Sequence, residues 1–123
     1  LGRPSALSID AAVAAWTACQ PWLDRIMALL DRNRRLVVQT IRERMPKLKV
    51  FMPEASFLAW IDCRELGWDR PAASVFLDEA GIAFSSGESF CARHEGFVRL
   101  NFGASGEVLR DKLARMEKLI NAQ

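Results

Sequence analysis

FVRLNF, residues 97–102, is the stretch that decides the fold. Apolar and polar residues alternate along it, so a β-strand here would place the apolar side chains at 98, 100 and 102 on one face and Arg99 and Asn101 on the other. This alternation is typical of a strand with one face on a hydrophobic core. We therefore expect Arg99 on the half-exposed face of a sheet.

Three further short strands are predicted upstream. Residues 48–52 and 56–62 are rich in aliphatic and aromatic side chains and are separated by Pro53-Glu54-Ala55, which predicts a hairpin. Residues 82–85 predict another strand. It follows a helix that Pro71 opens and Gly81 ends, since glycine adopts the left-handed conformation of a helix C-terminus at little cost.

Helices precede and follow these strands. Ser8 is the predicted N-cap of a short helix that ends near Cys19, and Pro21 and Pro46 delimit a long one. Ser105 is the predicted N-cap of the last helix. Spacings of three, four and seven residues predict a buried stripe on the long helix, at Leu23, Ile26, Leu30, Val37 and Ile41. A similar stripe on the last helix comprises Leu109, Leu113, Met116 and Ile120.

The order of elements is helix, helix, two strands, helix, two strands, helix. It predicts an α+β fold, with a small mixed sheet of about four strands, helices packed on it and a long N-terminal helix. The 123 residues, at 13.8 kDa, suffice for one core, and we expect residues 1–123 to form a single domain.

Composition narrows the class of protein. Half of the residues are apolar and 26% are charged, which argues against disorder. No apolar run reaches the roughly 18 residues that a membrane helix needs, and the first residues lack the layout of a secretory signal. We expect a cytoplasmic protein with no membrane partner.

The positions of the cysteines and of the single histidine do not indicate a metal site or a reactive thiol. The three cysteines lie outside any CxxC or Cys/His cluster, and His94 is the single histidine, so we expect reduced, mostly structural thiols and no metal site. A loop pair, Cys91 and His94, could make a nucleophile if the ring lowered the thiol pKa, but no third group is evident that would orient the ring.

The basic residues of the long helix could bind phosphates. However, Arg25, Arg32, Arg35 and Arg42 are interspersed with acidic residues, and the net charge is only +2. A solvated helix face is the better interpretation, and we expect no nucleic acid partner. The four tryptophans are interpreted as core or interface anchors rather than a stacking platform.

Arg99 is the most informative single residue. A guanidinium in mid-strand needs partners, and its planar fork matches a carboxylate in two hydrogen bonds. Spacing alone leaves two interpretations open: Arg99 receives an anion, or it is paired with an acid of its own domain or with water.

Three ordered motifs carry a resemblance to a known family: PEASFLAWIDCRELG (53–67), AGIAFSSGESF (80–90) and GFVRLNF (96–102). Together they resemble the C-terminal small domain of pyridoxal-phosphate (PLP)-dependent enzymes of the aspartate aminotransferase superfamily, in particular its cystathionine β-lyase branch. The resemblance covers nearly the whole chain.

The resemblance implies a parent enzyme that uses PLP on amino-acid substrates, as a carbon–sulfur β-lyase or an aminotransferase, and that is a homodimer. By its position in GFVRLNF, Arg99 corresponds to the arginine that binds the substrate α-carboxylate. Asn101, Ser86 and Phe90 are expected to line the pocket.

The parts of the family that hold the cofactor have no counterpart here. The chain has no tyrosine, and its four lysines match no cofactor-lysine motif, so no cofactor-binding or catalytic residue is predicted in it. The resemblance implies that a separate large domain binds PLP and that this chain is inactive alone. The alternative is a freestanding domain that binds amino or keto acids through Arg99 without chemistry.

Overall fold

The computed structural model describes residues 4–122, and within them the chain forms four helices and one four-stranded sheet. The ends of the predicted domain, residues 1–3 and 123, lie outside the described residues. The helices are α1 (Ala6–Ala18), α2 (Gln20–Arg44), α3 (Ala72–Ala80) and α4 (Gly106–Asn121). The strands are β1 (Lys49–Val50), β2 (Leu58–Asp62), β3 (Ser85–Ser86) and β4 (Phe97–Asn101).

The predicted α+β fold is confirmed, but the sheet is antiparallel throughout rather than mixed. Its strand order is β1-β2-β4-β3, and each neighbouring pair is antiparallel. After β2 the chain passes through α3 and then β3 before it reaches β4, which runs antiparallel to β2. Strand β3 pairs with the other edge of β4. The two edge strands are two residues long, shorter than predicted, and β3 lies at the end of the predicted segment.

One face of the sheet carries the core. Val98 and Leu100 of β4 are fully buried, as are Ala59 and Ile61 of β2, and all four belong to one cluster with the apolar faces of α2, α3 and α4. The alternation predicted for residues 97–102 is therefore confirmed. Because β-strand side chains alternate, Arg99 lies on the opposite face, away from the helices.

The helix ends follow the predicted capping chemistry with one shift. The Ser105 hydroxyl accepts a hydrogen bond from the Val108 amide at 3.3 Å, as predicted. The predicted cap at Ser8 is wrong: the cap is Ser5, whose hydroxyl accepts from the Ser8 amide at 3.2 Å. Ser5 and Ser8 both have a hydroxyl that can cap a helix, but the helix begins at Ala6, so Ser5 is the residue placed to accept from the first turn.

A buried asparagine ties α2 to the end of β4. Among the described residues, Asn33 is the one polar or charged residue that is buried. Its Nδ2 donates to the carbonyl oxygens of Phe102 at 2.9 Å and Ala104 at 2.8 Å. These bonds join the long helix to the turn that follows the Arg99 strand.

The N-terminal helices are uncovered along much of their length. The stripe predicted on the long helix is buried at Val37 and Ile41, but Leu23 is 43% exposed. No residue of α1 is buried, and Trp16 is 90% exposed. Within residues 4–122, no helix combines the length and apolar character that a membrane span requires.

Candidate functional site

The uncovered face of the sheet presents a row of side chains from three strands. In the strand register Trp60 of β2 is opposite Arg99 of β4, and Arg99 is in turn opposite Ser85 of β3. Residues directly opposite each other in an antiparallel pair project from the same face. Arg99 is therefore flanked by an aromatic ring on one side and a hydroxyl on the other.

Arg99 is half-buried and has no acidic partner among the described residues. Its Nη2 donates to the Ser85 hydroxyl at 3.0 Å, and its Cζ lies 4.7 Å from the centroid of the Phe90 ring. None of the ion pairs within residues 4–122 includes Arg99. Its charge is therefore not neutralised by the described part of the chain, and most of its N–H donors are available to an anion.

An aromatic cluster borders the guanidinium. Trp60 meets the edges of Phe90 and His94, with ring centroids 5.6 and 5.2 Å apart, and stacks on Phe97 at 5.9 Å. Such arrangements stabilise aromatic pairs beyond the area that they bury. The aromatic cluster thus provides an apolar surface next to the Arg99 guanidinium.

The loop that carries Phe90 is held close to β4 by a glycine. A Cβ at Gly87 would lie 2.3 Å from the His94 carbonyl oxygen and 2.8 Å from the Phe97 Cβ. Both distances are shorter than contact distances between non-bonded atoms, so only glycine fits unless the backbone moves. The close approach restricts the start of the loop that carries Phe90, whose ring contacts Arg99.

The structure brings Phe90 to Arg99, whereas the side-chain hydrogen bonds of Asn101 and Ser86 are made with other groups. Asn101 shares the face of Arg99, yet its Oδ1 accepts from the Gly103 amide at 2.8 Å, as in a turn. The Ser86 hydroxyl bonds to a Glu88 carboxylate oxygen at 2.9 Å. The contact that sequence reasoning missed is Ser85. Predicting this contact would require the register of β3 against β4, and a strand of two residues has no sequence pattern that reveals its register.

A second group of cations borders a cavity of about 460 Å³, lined in part by Arg64, Arg70 and Arg93. Arg64 pairs with Asp62 at 2.7 Å, and Arg70 pairs with two carboxylates of α3 at 2.8 and 3.1 Å. Arg99 does not line this cavity. Because two of its three guanidinium groups already have carboxylate partners, the cavity is a weaker candidate for an anion than Arg99.

The basic face of α2 is a solvated helix surface. Arg25, Arg32, Arg35 and Arg42 are all exposed, which agrees with the predicted solvated face. Asp31 pairs with Arg35 at 2.9 Å and also with Arg34, and hydrogen bonds from these two guanidinium groups lower the pKa of its carboxyl group. Part of the positive charge is thus compensated within the helix, which does not favour phosphate binding.

The thiol candidates also lack catalytic geometry. No hydrogen bond among the described residues joins the Cys91 side chain to the His94 ring, which packs on Trp60. Cys91 is exposed, contrary to the expectation of mostly structural thiols, and Cys19 is exposed as well. Cys63 is buried, and burial raises the pKa of its thiol to about 12, so this thiol is inert at neutral pH.

Comparison with solved structures defines the class. Cystalysin from Treponema denticola, whose crystal structure contains PLP, matches with a TM-score of 0.90 and 30% identity over 98% of this chain and 31% of its own. No protein-family model matches. The fold is that of the C-terminal part of PLP-dependent enzymes of the aminotransferase type.

Curated relatives narrow the class. A Mycobacterium tuberculosis protein provisionally named a cystathionine β-lyase is 36% identical over 94% of this chain, and the Bacillus subtilis cystathionine β-lyase PatB is 30% identical over 98% of it. The chain spans about a third of these relatives, 32% in each. It belongs to the cystathionine β-lyase-like proteins of the PLP-dependent aminotransferase fold and matches a C-terminal piece of them. The predicted resemblance is confirmed.

Proposed function

We propose that this chain is the small domain of a PLP-dependent carbon–sulfur β-lyase and that Arg99 binds the α-carboxylate of the amino-acid substrate. The observation that carries the proposal is the half-buried guanidinium of Arg99, which has no acidic partner among the described residues. Its place in GFVRLNF is the place of the carboxylate-binding arginine in the family that the chain resembles.

The geometry suits a carboxylate. A guanidinium offers five N–H donors in one plane, and Ser85 occupies one of them. A carboxylate can take two more in parallel, which fixes its orientation as well as its position. Holding the carboxylate in this way would fix Cα of the substrate, the atom at which the reaction begins.

The cofactor itself must be held mainly from outside this chain. Among the four lysines, Lys49 lies on the Arg99 face of the sheet, two strands away, and is paired with Glu65. Lys47 lies in the turn between α2 and β1, and Lys112 and Lys118 belong to α4 on the core side. These lysines do not fit the role of a cofactor lysine beside Arg99. When bound, PLP supplies an electron sink for the negative charge that develops at Cα.

The two curated relatives named above carry lyase names, and their identities of 36% and 30% support β-elimination rather than amino transfer in the parent. Since the described residues offer no lysine beside Arg99, we propose that the chain is inactive alone. The alternative of a freestanding amino- or keto-acid-binding domain predicts heat on titrating the isolated chain with L-cystathionine. The proposed function predicts none at millimolar ligand.

The partner implied by the uncovered helices is the remaining two-thirds of the parent. Trp16, Trp22 and Leu23 surround a cavity of about 350 Å³ on α1 and α2, and all three are exposed. Exposed apolar clusters of this kind mark contact surfaces. We propose that the large PLP-binding domain covers them. The homodimer and the cytoplasmic location remain predictions.

The decisive experiment measures thiol release from L-cystathionine by the full-length, PLP-loaded parent. Arg99→Ala should lower kcat/KM by about thirty-fold to a few thousand-fold, since a desolvated charge-assisted contact contributes about 2 to 5 kcal/mol. Arg99→Lys should restore little, because an ammonium group lacks the planar fork.

Arg110→Ala is the matched control, because Arg110 is an exposed residue of α4 on the core side of the sheet. It should leave kcat/KM unchanged. The absorbance of bound PLP should be the same in all variants. A kcat/KM at the wild-type value in Arg99→Ala would contradict the proposed function.

A further inference from the structure

We propose that Ser85 and Phe90 are positioning residues that hold the Arg99 guanidinium in the orientation that receives the substrate carboxylate. This inference rests on the proposed carboxylate role of Arg99. It assigns separate tasks to the two neighbours: Ser85 fixes one end of the fork by a hydrogen bond, and Phe90 limits the motion of the guanidinium by a cation–π contact.

Ser85 restrains the guanidinium without neutralising it. Its hydroxyl accepts from Arg99 Nη2 at 3.0 Å, and the two residues are directly opposite in the β3–β4 register. An aspartate or glutamate at this place would restrain the guanidinium too, but its charge would compete with the substrate carboxylate. A neutral acceptor keeps the full positive charge available and leaves four of the five N–H groups unused by this bond.

The Phe90 ring lies against the Arg99 guanidinium, whose Cζ is positioned over the ring. The Phe90 ring centroid is 4.7 Å from Arg99 Cζ, within the range of a cation–π contact. This contact restricts the motion of the guanidinium and, unlike a carboxylate partner, takes up none of its N–H donors in a hydrogen bond. The ring is 51% exposed, so its placement is not explained by core burial.

Phe90 is itself supported from behind. Its ring and the Trp60 ring form a T-shaped pair with centroids 5.6 Å apart, and the loop that carries it is packed against β4 at Gly87, where a Cβ has no room. Phe90 is thus held on a loop whose path is restricted, and the Arg99 guanidinium contacts both this ring and the Ser85 hydroxyl.

The positions of these contacts predict an effect on substrate binding more than on the chemical step. Losing the hydrogen bond from the charged guanidinium to the hydroxyl in Ser85→Ala should raise KM for L-cystathionine about threefold to tenfold, with kcat changed less than twofold. Ser85→Thr keeps the hydroxyl and should restore most of the affinity. Phe90→Leu keeps apolar bulk but removes the ring face, and should raise KM about twofold to fivefold.

The test is a double-mutant cycle in the full-length, PLP-loaded parent, with kcat and KM measured for L-cystathionine. Ser85→Ala and Phe90→Leu are each made with Arg99 present and with Arg99→Ala. If the two residues act through Arg99, each should raise KM with Arg99 present and have no further effect in Arg99→Ala. Ser74→Ala and Phe51→Leu are matched controls at exposed positions away from Arg99, and both should behave as wild type.

Two results would overturn the inference by different routes. Equal effects of Ser85→Ala or Phe90→Leu in both backgrounds, or no effect in either, would show that these residues do not act through Arg99 while the proposed function stands. A wild-type kcat/KM in Arg99→Ala alone would overturn the carboxylate role and the positioning inference with it. Thermal unfolding of each variant separates both results from a loss of folded protein, and Phe90→Tyr, which keeps the ring face, should retain a wild-type KM.

Discussion

Both halves of α2 carry apolar side chains, but the halves differ in what covers them. In the second half Val37, Val38 and Ile41 are buried against the sheet and α4. In the first half Trp22 is 57% exposed and Met27 56%. One helix with a continuous apolar stripe therefore serves two surfaces: the core of the described domain and a surface that this chain leaves open.

The largest effect is expected when an isoleucine of the buried core and an isoleucine of the uncovered helical surface are each replaced by alanine. Ile41→Ala, at a fully buried position, should lower the free energy of unfolding of the 123-residue chain by about 2 to 5 kcal/mol, through lost transfer energy and an internal cavity. Ile9→Ala, on α1 at 50% exposure, should change it by less than about 0.5 kcal/mol. Urea unfolding checks both values, and equal losses would contradict the comparison.

The next effect concerns Asn33, which joins the buried half of α2 to the end of β4. Asn33→Ala leaves the carbonyl groups of Phe102 and Ala104 without this donor, and each buried unpaired polar group is costly. It also removes Asn33 Oδ1, which is itself buried without a partner. The net loss in free energy of unfolding should be about 1 to 3 kcal/mol.

Urea unfolding measures this loss as well. Asn121→Ala, at an exposed position near the end of α4, is the matched control and should be neutral. A neutral Asn33→Ala would show that the two carbonyl groups find other donors, and that the link between α2 and β4 contributes little to stability.

The predictable part of the fold is the part in which a local pattern and tertiary packing agree. Alternation at 97–102 predicted the buried Val98 and Leu100, and Ser105 was predicted as a cap from its chemistry alone. The covered and uncovered halves of α2 could not be separated from the sequence, because an apolar stripe does not say which partner buries it. The all-antiparallel order depended on strand pairing that no local pattern determines.

The site was predictable to a smaller extent. Arg99 stood out because a cation in mid-strand is unusual, and the motifs around it pointed to the same residue. Ser85 was missed because its contact arises from the register of a two-residue strand. Asn101, expected in the pocket, is bonded to the Gly103 amide, a local turn that competes with a binding role.

A smaller effect sharpens the comparison in the full-length parent. If the remaining two-thirds of the protein cover α1, Ile9→Ala should lower the stability of the parent by about 1 kcal/mol, while the isolated chain stays unaffected. Thermal unfolding of both forms with and without the substitution measures the difference. Equal insensitivity in the two forms would contradict the proposal that the large domain covers this part of α1.

The smallest expected effect concerns the ion pairs of two aspartates, one on the sheet and one on the exposed surface of α2. Asp62 on the sheet is 15% exposed and pairs with Arg64 at 2.7 Å, whereas Asp31 on α2 is 41% exposed. Hydrogen bonding to Arg64 lowers the pKa of the Asp62 carboxyl group in the folded state. A lowered folded-state pKa means that the stabilisation is complete above the unfolded value, near 4, and is lost as the pH falls through the folded value.

The free energy of unfolding of the wild-type chain should therefore decrease from about pH 5 to about pH 2 by more than that of Asp62→Asn, and the difference should stay below about 1 kcal/mol because Arg64 is 63% exposed. Asp31→Asn should follow the wild-type curve more closely, since solvent screens its ion pairs more strongly. Urea unfolding at constant ionic strength across this range checks both curves. If Asp31→Asn flattened the pH dependence more than Asp62→Asn, the exposed surface of α2 would contribute more electrostatic stabilisation than the sheet, opposite to the order that burial predicts.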